Sequence, residues 1–344
     1  MNFFSILIAI FLMGFMIFFH ELGHFATAKW AGVKVNEFSI GMGPKLISKV
    51  VGETTYALRL FPIGGFVAME GEDEDSSDER SILACPVWKR IIITAAGAFM
   101  NLLLGFIVIV FLTSGQELIG TTTIAQFYEN SATAKYLEIN DKIVGINGEK
   151  INCDQDIVYS LVRDRDGIVD IDVIRENEKI HIDEVVFDTE TLEDGSSIVV
   201  LDFSIYGTEK TLKNVISYSF KWTFSLVKLV WNSLLDLIKG DFSINQITGP
   251  VGLTKTMSEV ASSTDITGIL RLLALVTVNL GVFNLIPLPA LDGGRIFFMF
   301  IELIFGKPVN RNVEATIHGV GMMLLLLFSA VIAFNDIFRI ITGG

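Results

Sequence analysis

Apolar residues run almost unbroken through positions 3–19, 91–113 and 315–341, and a fourth apolar stretch, 272–305, is interrupted by NLIPLPALDGG. About 20 apolar residues at roughly 1.5 Å each cross the ~30 Å hydrocarbon core of a bilayer. The pattern therefore predicts four membrane-spanning helices, the third of them broken. The first run lacks a basic leading region and a small-residue cleavage site, so it reads as a retained span and not as a cleavable signal peptide. Elsewhere the period changes. GVKVNEFSIGMGPKL followed by TTYALRLFPIGGFVAMEG alternates apolar and polar positions around glycines, which predicts a β-hairpin. Residues 212–238 space Lys213, Lys221 and Lys228 about two helical turns apart, which suits an amphipathic helix lying in the membrane interface and not a fifth crossing.

Composition agrees: 51% of the 344 residues are hydrophobic and the mean hydropathy is +0.55, too apolar for an ordinary soluble chain. The net charge of −13 is unevenly placed, because residues 114–210 carry 21 acidic and 8 basic side chains while the remainder balances. That block reads as a separate water-exposed domain, and its sign argues against a nucleic-acid partner. Within it, IAQFYENSATAKYLEINDKIVGINGEKI predicts short strands, a small helix and a turn at Asn147 and Gly148, and His181 reads as a plain strand residue. MEGEDEDSSDER, with seven acids in residues 70–79, reads as a solvated linker. Lys29, Lys34, Lys45, Lys49, Arg59, Arg80, Lys89 and Arg90 lie between the first two spans, and Lys307 and Arg311 between the last two. The positive-inside rule then places both termini outside the cell membrane. Cys85 and Cys153 fall on opposite sides in that topology and cannot pair with each other.

The chemistry starts at HELGH, residues 20–24. Helix positions four apart differ by about 40° in azimuth and about 6 Å in height, so His20 and His24 present their rings on one face and can grip one metal ion. Glu21 stands about 60° from His24 around the axis, close enough to reach a water on that metal without ligating it. This is the mechanical content of H-E-x-x-H, two zinc-binding imidazoles and a general base. The plainer reading, polar groups at a helix end, is disfavoured because ionisable side chains at bilayer depth are costly and usually functional.

A catalytic zinc typically has three protein ligands and an open position. The candidate third ligand is Asp292 in NLIPLPALDGG. Pro287 and Pro289 disrupt helix geometry there, Gly293 and Gly294 free the backbone to bend, and broken backbone at membrane depth is tolerated only where it is enclosed or lines a watery cavity. His318 reads as a lone interfacial side chain and not a fourth ligand. Two other classes compete. A non-catalytic metal-dependent membrane scaffold or chaperone predicts saturated coordination, and a metal transporter predicts polar groups along several spans, whereas here they cluster at one depth. Glu21 favours an enzyme.

HELGH on the first span, NLIPLPALDGG on a late one and a domain between them resemble the site-2 protease family of intramembrane zinc metalloproteases, in its bacterial PDZ-containing regulator-of-sigma-factor protease form. The resemblance implies that His20, His24 and Asp292 bind zinc, that Glu21 is the catalytic acid/base, and that Asn284 holds substrate backbone or the oxyanion. Pro287, Pro289 and Gly293 would shape the site. It further implies a membrane-associated β structure whose edge captures substrate, single-span membrane protein substrates such as anti-sigma factors or remnant signal peptides, and an upstream site-1-type protease. AGAFMN keeps Asn101 but carries Ala98 where the family often has proline. Asn140 replaces a glycine usual in the PDZ pattern, which makes a steric gate the better reading of that domain than a peptide binder. ITGPVGL resembles a further family loop.

The fold class expected is thus an α-helical membrane protein with four transmembrane spans, a membrane-associated β-hairpin or sheet and an extracytoplasmic PDZ-like α+β domain. Along the chain it comprises a first transmembrane helix (1–30), the β region (31–69), an acidic cytoplasmic linker (70–89) and a second transmembrane helix (90–113). The PDZ-like domain (114–210), amphipathic interfacial helices and a loop (211–271), the broken third segment (272–306) and a fourth transmembrane helix (307–344) complete it. The active site is expected towards the cytoplasmic side.

Overall fold

A computed structural model of the chain describes residues 3–72, 76–164, 166–191, 197–240 and 266–342. Among these, four helices are long and apolar enough to cross a membrane: Leu7–Ala31, Val87–Ser114, Ile266–Leu285 and Arg311–Asn335. The chain divides into two compact units, Met1–Val108 with Leu234–Gly344, and Ile109–Ser233. ITGPVGL lies outside the described residues.

In the first unit, α1 (Phe3–Ala31) leads into β1 (Val35–Val51) and β2 (Thr54–Met69), and α2 begins at Val87 and ends at Ser114. β1 and β2 pair antiparallel near their shared turn, Val51 opposite Thr54, and again where Phe38 faces Val67. Residues 37–40 also face residues 55–58, Glu37 opposite Thr55 and Ile40 opposite Leu58. Two long strands thereby build one sheet whose segment 65–69, among the described residues, is bonded along one side only. Phe38 and Tyr56 pack edge-on against Phe25 of α1, which fixes the sheet to the helix bearing HELGH. The acidic run is more tied than a free linker. Glu70 accepts hydrogen bonds from Ser76, Asn36 and Lys34, which pull its carboxyl down to about 2, and Glu72 pairs with Arg295.

The broken third segment resolves into α5 (Ile266–Leu285) and α6 (Asp292–Phe305), followed by α7 (Arg311–Thr342). Glycines let these helices approach closely, as in membrane bundles generally. A Cβ on Gly23 of α1 would lie 2.3 Å from the Ala96 carbonyl of α2, and one on Gly281 of α5 would lie 3.0 Å from the Ala98 carbonyl. Arg90 and Glu302, 2.5 Å apart and largely shielded, join α2 to α6.

The second unit is an α+β layer. β3 (Ile119–Phe127), β4 (Lys142–Ile146), β6 (Ile168–Arg175), β7 (Glu178–Val186) and β10 (Phe203–Thr208) form a sheet in the order β10-β3-β4-β6-β7, with β5 (Glu149–Lys150) beside β4. α3 (Asp154–Arg163) packs on it, and β8 (Thr189–Thr191) and β9 (Ser197–Val199) form a separate hairpin. Alternating strand residues supply the core, including Ile124, Ile143, Ile171, Val173 and Phe203. The Asn147-Gly148 turn has both φ angles positive, 48° and 73°, as an Asn-Gly hairpin turn requires. Asn140 has φ 76°, so it takes the left-handed backbone that a glycine would otherwise provide, which asparagine tolerates better than other side chains.

The helix predicted to be amphipathic is α4 (Leu212–Lys239). Its buried face, Val215, Tyr218, Trp222 and Leu226, packs within the second unit through Tyr218 Oη to Asp154 at 2.5 Å, Trp222 Nε1 to Tyr159 at 2.9 Å and Lys228 Nζ to Glu149 at 3.0 Å. Burial alone would raise the Glu149 carboxyl, but Arg163 and Lys228 outweigh it and hold it below its ordinary value. A group depressed in this way stabilises the fold above its unfolded pKa, and that contribution fades as pH falls through the folded one. Hydrogen exchange in α4, corrected for intrinsic rates, is therefore expected to accelerate as pH drops below 4.5. In Glu149→Gln it is expected to be faster at neutral pH and to lose that acid dependence, and an unchanged acid profile would count against the pair.

Candidate active site

α1 carries both histidines and the first turn of α6 carries the carboxylate. His20 Nε2 lies 3.3 Å and His24 Nε2 3.4 Å from Asp292 Oδ2, and the two Nε2 atoms are 3.3 Å apart. All three donor atoms lie within 4.8 Å of one another, with the imidazoles edge to face. Among the described residues, Asp292 Oδ2 is buried without a hydrogen-bond partner. An orphaned anionic oxygen beside two imidazole nitrogens is costly unless a cation completes it, and two imidazoles with one carboxylate form a recognised catalytic zinc donor set.

The second nitrogens decide which ring atoms can ligate. His24 Nδ1 is 2.8 Å from the Ile93 carbonyl of α2, and because a carbonyl only accepts, Nδ1 carries the proton and Nε2 keeps its lone pair for the site. His20 Nδ1 is 3.3 Å from the Asn101 carboxamide, whose oxygen is buried and unpaired. Amide orientation is assigned from the network. Turning the amide so that its oxygen accepts from His20 Nδ1 pairs that oxygen and frees His20 Nε2 in the same way.

Gly97 of α2 makes room for the rings. A Cβ there would lie 2.3 Å from His24 Nε2 and 2.8 Å from His20 Cε1. The break before Asp292 is equally constrained. A Cβ on Gly293 would lie 2.2 Å from the Ile286 carbonyl, and Pro289 sits against Gly321 of α7, where a Cβ would come within 2.2 Å. Ala290 holds φ 72°, a left-handed conformation costing about 1–2 kcal/mol outside glycine. Its N–H donates to His318 Nδ1 at 2.8 Å. His318 stands outside the donor triangle and steadies the loop that presents Asp292. Pro287 lies in the same connection. Asn284 sits half-buried one residue before the end of α5.

Glu21 faces the sheet: a Cβ on Gly65 of β2 would come 2.9 Å from Glu21 Cγ. The one-sided segment 65–69 thus begins against this carboxylate. Gly97, Gly65 and the role of His318 were not anticipated from the sequence. For Gly97 a signal existed, since Gly97 and Asn101 are four apart on one apolar helix and so share a face. A second group, Asp170, His181 and Asp183 of the acidic domain, also comes within ligating distance, but His181 and Asp183 are exposed, and His181 is paired to Asp172 at 2.7 Å and Asp183 at 3.0 Å.

The model of peptidase family M50 matches residues 8–328. A Fusobacterium nucleatum protein named as a candidate zinc metalloprotease is 37% identical over 350 positions, covering 98% of this chain and 99% of its own. The regulator of sigma-W protease RasP of Bacillus subtilis is 30% identical, covering 98% and 99%, and the zinc metalloprotease RasP of Bacillus licheniformis is likewise 30% identical with the same coverage.

Proposed function

The chain belongs to peptidase family M50, the site-2 proteases, and is a multi-pass membrane zinc metalloendopeptidase; on that footing we propose that it cuts single-span membrane proteins in or near their transmembrane segment. His20, His24 and Asp292 hold the zinc and Glu21 is the general acid/base. The observation that carries this assignment is the meeting of three donor atoms around the orphaned Asp292 oxygen.

When bound, zinc supplies Lewis acidity, activating water and polarising the scissile carbonyl. Glu21 takes the proton of the attacking water and returns it to the departing amine. Its position beside Gly65 puts that transfer next to a strand edge. A transmembrane helix hides its peptide groups in its own hydrogen bonds, so it must unwind before cleavage. Pairing with segment 65–69 replaces the bonds it loses. Asn284, at the end of α5, is assigned to the substrate backbone or oxyanion, while Pro287, Pro289 and Gly293 shape the break that delivers Asp292.

The lysine and arginine distribution supports termini on the outside and a site towards the cytoplasm. In that orientation the second unit is an extracytoplasmic PDZ-like domain, and it serves as a gate against large ectodomains. The name of the Bacillus subtilis relative favours anti-sigma factors as one substrate class, with remnant signal peptides as another, after shortening by a site-1-type protease. Purified protein in detergent is expected to cleave a membrane-tethered single-span reporter, to stop when a chelator removes its zinc, and to resume when zinc is restored. Equal cleavage with and without metal would overturn the assignment.

A further inference from the structure

A cleft of about 450 Å³ opens in the second unit between α4 and the strands β3 and β4. Lys142, Lys150 and Lys221 line it, with Asn152, Asn214 and Ser217 among the polar groups around them. The surrounding domain is strongly acidic, and its other cations are largely spoken for. Arg163 and Lys228 bind Glu149, Arg175 binds Asp141 and Glu138, and Lys179 binds Asp172. The three cleft lysines have no carboxylate partner among the described residues. Three ammonium groups without an ion-pair partner around one concavity make it a candidate anion site, even with Asp154 bonded to Tyr218 behind its wall, and the hydroxyl and amide groups suit phosphate oxygens.

The depth of the cleft identifies the source of the anion. Ser219 of α4, between Ser217 and Lys221, hydrogen-bonds Thr113 in the last turn of the membrane-spanning helix α2 at 3.2 Å. Lys210 Nζ reaches the carbonyl of Ser114, its last residue, at 3.0 Å. β3, which lines the cleft, starts five residues after Ser114. The cleft therefore stands where a span leaves the bilayer. Beside it α4 exposes Leu212, Ile216, Phe220, Phe224 and Trp231, which recur at helical spacing and form one apolar stripe with Lys221 and Lys228 along one edge. An apolar helix face edged by lysines is the form of an interfacial helix on an anionic membrane.

We propose that this cleft binds the phosphate of an anionic phospholipid headgroup, docking the acidic domain onto the membrane through α4. Most of the domain repels such a surface, so the lysine cleft also sets which side faces the lipid. The site is independent of the catalytic reading, and its test needs no cleavage.

Full-length protein in detergent is titrated with phosphatidylglycerol or phosphatidylcholine, and retained lipid is counted by native mass spectrometry. Phosphatidylglycerol is expected to be retained preferentially. The variant K142Q/K150Q/K221Q is expected to bind it about 100-fold more weakly, since each lysine near an anionic surface contributes about 1 kcal/mol. K142R/K150R/K221R should bind like the native chain, as should the control K135Q/K179Q. Unchanged retention in the glutamine variant would overturn the proposal. So would displacement of the lipid by an equal concentration of inorganic phosphate, which would mark a free-anion site, or by an acidic peptide, which would mark a protein partner.

Discussion

Glu21→Gln is expected to keep its full complement of zinc while cleavage falls by about 10²–10⁴-fold, the range supplied by a positioned general acid/base. Glutamine matches glutamate in size, so Gly65 still fits against the side chain, and the three donor atoms on His20, His24 and Asp292 are untouched. What disappears is the ability to accept and return a proton. Elemental analysis of the purified variant alongside the reporter assay separates the two quantities. Cleavage at the native rate would remove Glu21 from the reaction, and loss of zinc would make it a ligand.

Gly97→Val should produce the opposite pattern, with metal and activity lost together. The new Cβ alone would sit 2.3 Å from His24 Nε2 and 2.7 Å from its Cε1, well inside van der Waals contact, so the imidazole must leave the site. His24 also loses its geometry to the Ile93 carbonyl, which sets its protonated nitrogen. Below about one tenth of native zinc occupancy is a reasonable expectation, since even groups that merely orient ligands alter metal affinity by 10–100-fold. Full zinc occupancy in the valine variant would show that the rings reach the metal by some other path.

The parts of this site that follow from local rules were legible in the sequence. Two histidines four apart on a helix share a face wherever the helix goes, so His20 and His24 needed only α1 to exist. Asp292 was reachable because a third donor is required and because prolines and glycines in an apolar span are expensive unless they have a purpose. The four helices long and apolar enough to cross a membrane followed from length alone, although α5 already includes Ile266, before the predicted 272. The remainder depends on what faces what across helices. Gly97 matters only because α2 crosses α1 at the imidazoles. Gly65 matters because β2 brings it to Glu21, and His318 because a strained Ala290 needs an acceptor for its N–H. The double pairing of residues 37–40 has no periodic signature, since alternation reads the same for a strand with one neighbour or two.

The strand edge beside Glu21 has a metrical consequence. A peptide laid along residues 65–69 repeats its facing side every second residue, and a slip of one position turns each side chain to the other face. Moving the chain past a fixed carboxylate therefore offers equivalent peptide bonds at intervals of two residues, about 6.8 Å apart. A substrate trimmed more than once at this edge would shed its fragments in even-numbered steps, whatever its composition.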